Sequence, residues 1–280
     1  MGLPTHTRAD ERVLFEARSP YQDISLVEEP DGHLSLTLDD VWQFHTRDEQ
    51  VFHSLLADTP MMLAPQPRRA LILGGGDGLA LRNLLRYPQL EHATLVELDA
   101  LVIEAARVPE MVALSENCFA DPRVELIIGD ALEFIDRSAG PDPYDLIICD
   151  FPAATSPELA RLFEAEVYAS LARSSHERSV LAVQVSLDAE DFWPVCAAVE
   201  ASFPWLHPML VNLDQSGTDP NDWASFVIAS PSPREFVREA SPASFMNRER
   251  LESLRILNRE GARFETKADG LSYEDVEGAP

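Results

Sequence analysis

The sequence predicts an α/β fold in which helices flank a seven-stranded sheet and a small β-domain precedes it. Short apolar runs rich in branched residues recur from residue 70 onward, and a polar or helix-like stretch follows each. Strands buried on both faces of a parallel sheet have this pattern, and regular alternation with helices is typical of βαβ units. With 280 residues, 45% of them hydrophobic, the chain can bury a core of this size.

The first 66 residues predict the small N-terminal β-domain. Residues 24–27 and 34–38 are strand-like, and the Pro-Asp-Gly sequence at 30–32 is typical of the turn of a hairpin. Residues 48–63 predict a helix, because acidic residues open its first turn, where the helix dipole favours them.

Residues 67–235 predict the main domain, and residues 236–280 a charged C-terminal tail with a helix near 247–258. The seven strands of the main domain are predicted over residues 70–75, 93–99, 124–130, 144–150, 180–186, 209–213 and 226–229. Its helices are predicted over residues 78–87, 99–107, 158–172 and 190–202.

Charge and composition exclude several function classes. The chain has 48 acidic and 22 basic residues, a formal net charge of −26, so nucleic acid and anionic membrane are not expected as partners. A cationic small molecule would be attracted instead, although such acidity can also serve solubility alone. No apolar run approaches the roughly 20 residues of a membrane span, and no secretory signal is evident. The 3 cysteines have no metal spacing, so we expect a cytoplasmic protein without a disulfide scaffold or a metal site.

A glycine-rich turn follows the first strand of the main domain. It consists of Gly74, Gly75, Gly76, Asp77 and Gly78, and glycines at such a turn let a ligand approach the backbone closely. The turn lacks the lysine of a P-loop. A Rossmann-like sheet is the arrangement that this turn favours.

Four carboxylates, those of Asp77, Glu97, Asp130 and Asp150, follow four successive strands of this sheet. Each by itself could be only the N-cap of the next helix. However, Glu97 lies 23 residues after Gly74, close to the spacing of an acid that binds ribose hydroxyls. Together with the turn, these acids predict a nucleoside site at the carboxyl edge of the sheet.

The acidity of this edge limits the kinds of ligand that it can bind. A pyrophosphate would be repelled, which disfavours a dinucleotide, whereas a nucleoside with a positive charge would be attracted. A sulfonium compound such as S-adenosylmethionine or its decarboxylated form fits best, and the predicted sheet is therefore of the S-adenosylmethionine type.

Several motifs make the chain similar to one family, the polyamine aminopropyltransferases or spermidine synthases, over residues 19–230. They are Ser-Pro-Tyr-Gln-Asp-Ile at 19–24, Arg-Asp-Glu at 47–49, the glycine turn at 74–78, Val-Glu-Leu-Asp at 96–99, Asp-Pro-Arg-Val at 121–124, Gly-Asp-Ala at 129–131 and the 157–168 segment. The resemblance implies a dimer or tetramer that transfers an aminopropyl group from decarboxylated S-adenosylmethionine to a small amine.

The resemblance also implies site residues. Asp150 would accept the proton of the attacking amine, and Asp77 would bind the amine of the donor. Gln22 and Glu97 would bind the nucleoside, and Gln43 would lie near the sulfonium. Asp130 and Ala131 would lie beside the adenine. The turn formed by Gly74, Gly75, Gly76 and Gly78 would complete the donor site.

The acceptor side departs from the family pattern. The family's Tyr-His-Glu motif is here Phe52, His53 and Ser54, and its Asp-Leu-Pro-Asp loop ends here in Ala153. A phenol and two carboxylates are therefore missing from the acceptor pocket, so we predict a divergent member whose acceptor is an amine other than ordinary putrescine. His53 is either a proton carrier in place of the tyrosine or a structural histidine.

Two other functions stay open from the sequence. One is a methyltransferase that uses S-adenosylmethionine on the same sheet, and the other is a non-catalytic binder of methylthioadenosine or a related nucleoside. Asp77 and Asp150 favour the aminopropyl donor over intact S-adenosylmethionine, because two carboxylates would repel the carboxylate of a methionine tail.

Overall fold

The structure is a computed structural model that describes residues 10–137, 142–154, 156–185, 189–212, 223–242, 244, 264–267 and 270–273. The N-terminal part is a four-stranded antiparallel sheet in the order β1-β2-β3-β4. Its strands are β1 (Arg12–Arg18), β2 (Asp23–Glu28), β3 (Leu34–Leu38) and β4 (Val41–His45). The predicted hairpin is confirmed as β2 and β3. The sequence did not indicate β1 and β4, whose short, mixed segments become strands by pairing with β2 and β3.

The predicted helix at 48–63 is present but contains a wide turn. It consists of α1 (Glu49–His53), a π-helical turn (Ser54–Asp58) and α2 (Thr59–Leu63). Pro60 has no N–H to donate to the preceding turn, which favours this local widening. The helix packs its apolar side into the core of the large sheet. The predicted domain limit at residue 66 stays a prediction.

The large sheet has seven strands in the order β10-β11-β9-β8-β5-β6-β7. They are β5 (Arg69–Gly74), β6 (His92–Glu97), β7 (Val124–Ile128), β8 (Tyr144–Asp150), β9 (Ser175–Val185), β10 (Trp205–Asn212) and β11 (Trp223–Ser230). Strands β5 to β9 are parallel, and β10 and β11 are antiparallel. This confirms the predicted α/β fold with its small N-terminal sheet.

The strand order places a topological switch point between β5 and β8. From β5 the chain adds β6 and β7 on one side and then crosses to add β8 on the other. Gly74 is the register partner of Asp150 across this junction. Ligands of open α/β sheets bind in the crevice at such a point, outside the carboxyl ends of the strands.

Seven helices of the described residues connect or cover these strands. They are α3 (Leu79–Leu85), α4 (Ala100–Ala105), α5 (Pro109–Leu114), α6 (Ala131–Arg137), α7 (Pro157–Ala160), α8 (Ala165–Arg173) and α9 (Ala189–Glu200). The predictions for α3, α4 and α9 are confirmed, and α5 and α6 were not predicted. The single helix expected over 158–172 is wrong, because Glu164 adopts an extended ψ of 152° and separates a 3-10 turn after α7 from α8.

The N-terminal sheet is attached to the main domain beside the carboxyl ends of the strands. Its apolar face packs Leu26 and Leu36 against Leu79 and Val102 of α3 and α4. A side-chain hydrogen bond of 3.1 Å from Gln22 to Asp99 and an ion pair of 2.7 Å between Arg12 and Glu110 cross the same junction.

The C-terminal segment returns over the helix at 49–63. We call residues 236–242 and 244 the strap. The N–H of Val237 donates to the carbonyl of Met62 at 2.9 Å, and the guanidinium of Arg238 donates to the carbonyls of Met61, Ala64 and Pro65. The strap therefore caps the carbonyls that end α2.

The rest of the tail differs from the prediction where it is described. Strands β12 (Phe264–Lys267) and β13 (Gly270–Tyr273) pair as an antiparallel hairpin that the sequence did not indicate. The helix predicted near 247–258 lies outside the described residues. Among the described helices, none is long and apolar enough to cross a membrane. In the same ranges no three His, Cys, Asp or Glu side chains are grouped as a metal site requires.

Candidate active site

The glycine-rich turn brings its backbone against two carboxylates. A Cβ at Gly74 would lie 2.2 Å from the carbonyl oxygen of Asp150, and one at Gly75 would lie 2.9 Å from the Asp150 carboxylate. A Cβ at Gly76 would lie 2.7 Å from Glu97. Gly74, Gly75 and Gly78 also have positive φ angles of 78°, 66° and 83°. Glycine is therefore required both for the turn and for its contacts.

Glu97 is held at the end of β6 by two backbone donors. The N–H of Gly76 donates to Oε2 at 3.1 Å, and the N–H of Asp99 donates to Oε1 at 2.9 Å. Burial raises the pKa of Glu97 to about 7, and the carboxylates of Asp99 and Asp77 add to this shift. The two backbone hydrogen bonds act in the opposite direction and lower the pKa. Both oxygens are thus fixed in orientation at the edge where a ribose is expected.

Gln22 and Gln43 come from the N-terminal sheet. Gln22 donates to the carboxylate of Asp99 at 3.1 Å, and Asp99 in turn accepts from the N–H of Leu101 at 2.9 Å. The amide of Gln43 donates to the carbonyl of Val41 within β4 at 3.2 Å. Gln22 is therefore connected to Glu97 through Asp99, whereas the described hydrogen bond of Gln43 stays within its own strand, β4.

Asp130 and Ala131 lie beyond the end of β7. The exposed carboxylate of Asp130 accepts from the N–H groups of Leu132 at 2.7 Å and Glu133 at 3.3 Å, so it caps α6, which begins at Ala131. This is the capping function that a strand-end acid often has. Asp130 shares the sheet edge with Glu97, and its adenine contact stays a prediction.

Asp77 and Asp150 form the acidic centre of the crevice. Asp77 is buried and accepts from the N–H of Leu79, the first residue of α3, at 2.7 Å. Asp150 ends β8 with its carboxylate against Gly75. Burial and the neighbouring Asp77 carboxylate raise the pKa of Asp150 to about 7, whereas His53 opposes the shift. A carboxylate with this pKa can accept and release a proton near neutral pH.

Phe52 and His53 are the last two residues of α1. The ring of Phe52 lies edge-on at 5.0 Å from the rings of both His53 and Phe226 of β11. His53 is buried, and its Nδ1 lies 2.8 Å from the carbonyl and 3.3 Å from the carboxylate of Glu49. Burial lowers the pKa of His53, but the hydrogen bond to Glu49 and the charges of Asp77, Glu49 and Asp150 raise it above its ordinary value.

Ser54 and Ala153 have different surroundings. Ser54 is fully buried in the π-helical turn and interacts with Asp58 and, at 3.3 Å between the two hydroxyls, with Ser244 of the strap. Ala153 is partly exposed in the loop that follows Asp150. Phe52 and His53 are thus in ring contact and His53 interacts electrostatically with Asp150, while the described partners of Ser54 lie under the strap.

Three residues of this region were given no role in the sequence analysis, although two of them, Asp99 and Glu49, lie in the motifs that it names. Asp99 links Gln22 to Glu97, and Arg82 of α3 forms a buried ion pair with Glu49, with Nη2 to Oε2 at 2.9 Å. The sequence could have indicated the ion pair of Arg82, because a single arginine in the apolar run of α3 needs a buried anion as its partner. Nothing in the sequence says which of the many acids supplies it.

The fold and this edge define the class: a Rossmann-like α/β protein with an acidic crevice at its topological switch point. Its family follows from sequence comparison. The sequence model of the spermine/spermidine synthase domain matches residues 49–236, and the chain belongs to this family.

Curated relatives agree with this assignment. Polyamine aminopropyltransferase 2 of Bacillus cereus is 40% identical over 191 residues, which are 67% of this chain and 51% of that protein. Polyamine aminopropyltransferase 2 of Aquifex aeolicus is 32% identical over 272 residues, which are 95% of this chain and 52% of that protein. The chain spans about half the length of these relatives.

Solved structures show the same fold. A spermidine synthase in complex with the transition-state analogue AdoDATO has a TM-score of 0.71 and 32% identity, covering 79% of this chain and 74% of that chain. The spermidine synthase of Thermotoga maritima has a TM-score of 0.68 and 31% identity, covering 79% and 73%.

Proposed function

We propose that the protein transfers an aminopropyl group from decarboxylated S-adenosylmethionine to a small amine other than ordinary putrescine. Family membership and the relative in complex with AdoDATO support the reaction class. The observation that carries the proposal in this chain is Asp150. Its carboxylate ends β8 at the switch point, contacts the glycine turn, and has a pKa near the pH at which it must accept a proton.

The donor would lie along the edge formed by β5, β6 and β7. Glu97 presents fixed oxygens for the ribose hydroxyls, and Asp130 with Ala131 would flank the adenine. Asp77 would accept from the ammonium of the aminopropyl chain. An anionic centre suits this donor because its propyl chain ends in a cation and carries no carboxylate.

The reaction that we propose is a single displacement. The lone pair of the acceptor nitrogen forms the new N–C bond as the bond between that carbon and the sulfonium breaks, and the sulfur leaves as the neutral thioether of methylthioadenosine. Asp150 takes the proton that the attacking nitrogen must lose. Holding the nitrogen in line and removing this proton are the two contributions that the protein can make.

The acceptor pocket supports an amine that differs from putrescine. Phe52 offers no hydroxyl, Ala153 offers no carboxylate, and Ser54 is engaged with Asp58 and Ser244. A charge-assisted hydrogen bond to an ammonium contributes about 1.5–3 kcal/mol, so a diamine that depends on two such contacts would bind poorly. An amine with an uncharged or apolar distal end fits this lining better.

A second candidate is a binder of methylthioadenosine without catalysis. One observation favours it: Phe52 packs its ring against Phe226, so the phenol that would assist Asp150 is replaced by an apolar contact. Methyl transfer from S-adenosylmethionine has less support, because Asp77 and Asp150 would face the carboxylate of the methionine tail.

Release of methylthioadenosine across a panel of amines tests the proposal. The parent should release it with at least one amine but slowly with putrescine, and Asp150→Asn should abolish release while nucleoside binding persists. The matched control is Asp145→Asn, on the same strand at the opposite edge, where Asp145 accepts from the backbone of Arg68 and Arg69. We expect this control to release methylthioadenosine like the parent.

Three outcomes would contradict the proposal. Efficient turnover of putrescine by the parent would refute the altered acceptor. Equal release by the parent and Asp150→Asn would remove Asp150 from the mechanism. Calorimetric binding of methylthioadenosine without any release from decarboxylated S-adenosylmethionine would favour the non-catalytic binder.

A further inference from the structure

A chain of alternating charges runs from the core to the acidic crevice. Arg82 donates to both carboxylate oxygens of Glu49, at 3.1 and 2.9 Å, and Glu49 lies 3.3 Å from Nδ1 of His53. These side chains are only 3%, 1% and 1% exposed. Burial of three such groups is costly, so each depends on its neighbour for compensation.

The charge states follow from these contacts. Burial opposes ionisation of Glu49, yet the hydrogen bonds from His53 and Arg82 lower its pKa to about 2. Burial also opposes the His53 cation, but the hydrogen bond to Glu49 and the carboxylates of Asp77 and Asp150 raise the pKa of His53. The imidazolium is therefore favoured between an anion on its own helix and two anions in the crevice.

We propose that Glu49, held by the ion pair with Arg82, is a positioning residue that fixes His53 as a buried imidazolium and thereby favours the ionised form of Asp150, the proton acceptor. This inference rests on the proposed function for the role of Asp150. Neither Glu49 nor Arg82 touches the reacting atoms. They act through His53, whose Nδ1 is engaged by the backbone carbonyl and the carboxylate of Glu49, so the ring cannot turn freely.

A cation is needed at this place because two other influences disfavour an ionised Asp150. Burial removes water from the carboxylate, and Asp77 adds a second negative charge nearby. Both favour the protonated acid, which cannot accept a proton. An opposite charge in the same site favours the ionised carboxylate without opening the site to water, and the electrostatic interaction with His53 has this effect on Asp150.

The charged groups around His53 come from each element that faces it. Glu49 lies on α1 itself, Arg82 on α3, Asp77 on the glycine turn and Asp150 at the end of β8, while β11 presents the ring of Phe226 to the adjacent Phe52. Behind Asp77, burial raises the pKa of the Cys118 thiol to about 12, so it adds no charge near neutral pH. Asp58 lies on the next turn of the helix, against Ser54 and the strap.

The decisive experiment measures the titration of Asp150 directly and needs no turnover. The carboxyl carbon of Asp150 is followed by NMR in protein labelled at the aspartate carboxyl groups, and Asp150→Asn assigns the signal. We expect the midpoint to rise by about one pH unit or more in both Glu49→Gln and His53→Asn, because the His53 cation is lost. His53→Asn keeps the ion pair of Glu49 with Arg82. If Glu49→Gln does not fold, the midpoint of Asp150 in His53→Asn therefore still tests the inference.

Asp58→Asn is the matched control. It removes another fully buried carboxylate of the same helix, one whose described contacts face Asn83 and Ser244. A purely structural role of Glu49 would lower stability in both variants alike, whereas the positioning role shifts the Asp150 midpoint only in Glu49→Gln. An unchanged midpoint in His53→Asn, or an equal shift in Asp58→Asn, would overturn the inference.

Two further measurements keep this inference distinguishable from the proposed function. Imidazole nitrogen shifts should show His53 as a cation in the parent at pH 7 and as a neutral ring in Glu49→Gln; a neutral ring in the parent would refute the inference. If the parent transfers the aminopropyl group, the acid limb of kcat should move upward by about one unit in Glu49→Gln, a roughly tenfold lower rate below the limb. If no transfer occurs at all, the proposed function fails, and the two titrations still decide the inference.

Discussion

The two sides of the crevice are built in different ways. On the proposed donor side, the glycine turn and Glu97 come from consecutive strands, and their contacts are made by the backbone at the carboxyl edge of the sheet. On the proposed acceptor side, Phe52, His53 and Ser54 come from a helix before the sheet, and they pack against a strand and a strap from the far end of the chain.

This difference supports the proposal that the acceptor side differs from the family pattern while the donor side keeps it. Each glycine of the turn is constrained by a positive φ or by contact with a carboxylate, so a substitution there disturbs the sheet edge itself. The acceptor residues are constrained by side-chain packing, which substitutions of similar volume tolerate. Substitutions on the donor side therefore disturb the fold, whereas substitutions of similar volume on the acceptor side leave it intact.

The largest expected effect concerns the donor side. Gly74→Ala places a methyl group 2.2 Å from the carbonyl of Asp150 at a φ of 78°, and we expect it to lower the free energy of unfolding by about 4 kcal/mol. Urea unfolding measures this. Gly32→Ala is the matched control, because Gly32 has a φ of 86° with nothing within 4 Å of a Cβ; its cost should be only about 1–2 kcal/mol. Equal costs would refute the requirement for close approach.

The next effect tests the acceptor side. Ser54→Glu places a second carboxylate beside the buried Asp58 under the strap, and we expect a loss of about 3 kcal/mol in the free energy of unfolding. Ala153→Asp, in the partly exposed loop, should be nearly neutral for stability and should lower the KM for a diamine. If Ser54→Glu is neutral for stability, the acceptor side is more open than its contacts indicate.

A smaller effect is the pH dependence that Glu97 contributes. Its pKa rises from an ordinary 4.5 to about 7 in the folded protein, so the folded state binds more protons than the unfolded state between these values. Stability is therefore lost as pH rises from about 4.5 to 7. Glu97→Gln should reduce this loss by about 2 kcal/mol between pH 5 and pH 8 and should weaken nucleoside binding. An unchanged pH dependence of urea unfolding would contradict the buried state of Glu97.

The smallest effect concerns the strap. Ser244→Ala removes a hydroxyl that donates to the Asp58 carboxylate at 2.5 Å, and we expect a loss of about 1 kcal/mol in the free energy of unfolding. Thermal unfolding measures this, with Ser232→Ala as the control, since Ser232 donates to an exposed carbonyl at 3.1 Å. Loss of putrescine discrimination in Ser244→Ala would show that the strap also shapes the acceptor pocket.

The sequence by itself was sufficient for the α/β fold, for the strands of the large sheet and for the edge at which the candidate site lies. Apolar strands and glycine turns are local patterns, and a parallel sheet places the residues that follow successive strands at one edge. Glu97, Asp77 and Asp150 could be placed at this edge for this reason, and their roles stay predictions.

Only the tertiary structure decided how the acceptor side is arranged. The contact of Phe52 with Phe226, the interaction of Ser54 with Ser244 and the buried pair of Glu49 with Arg82 join residues far apart in the chain. Such pairs leave no periodic signal, because their partners are set by how helix, strand and strap pack together. The same reason hid β1, β4 and the wide turn in the helix, whose hydrogen bonds and packing depend on their neighbours rather than on their own residues.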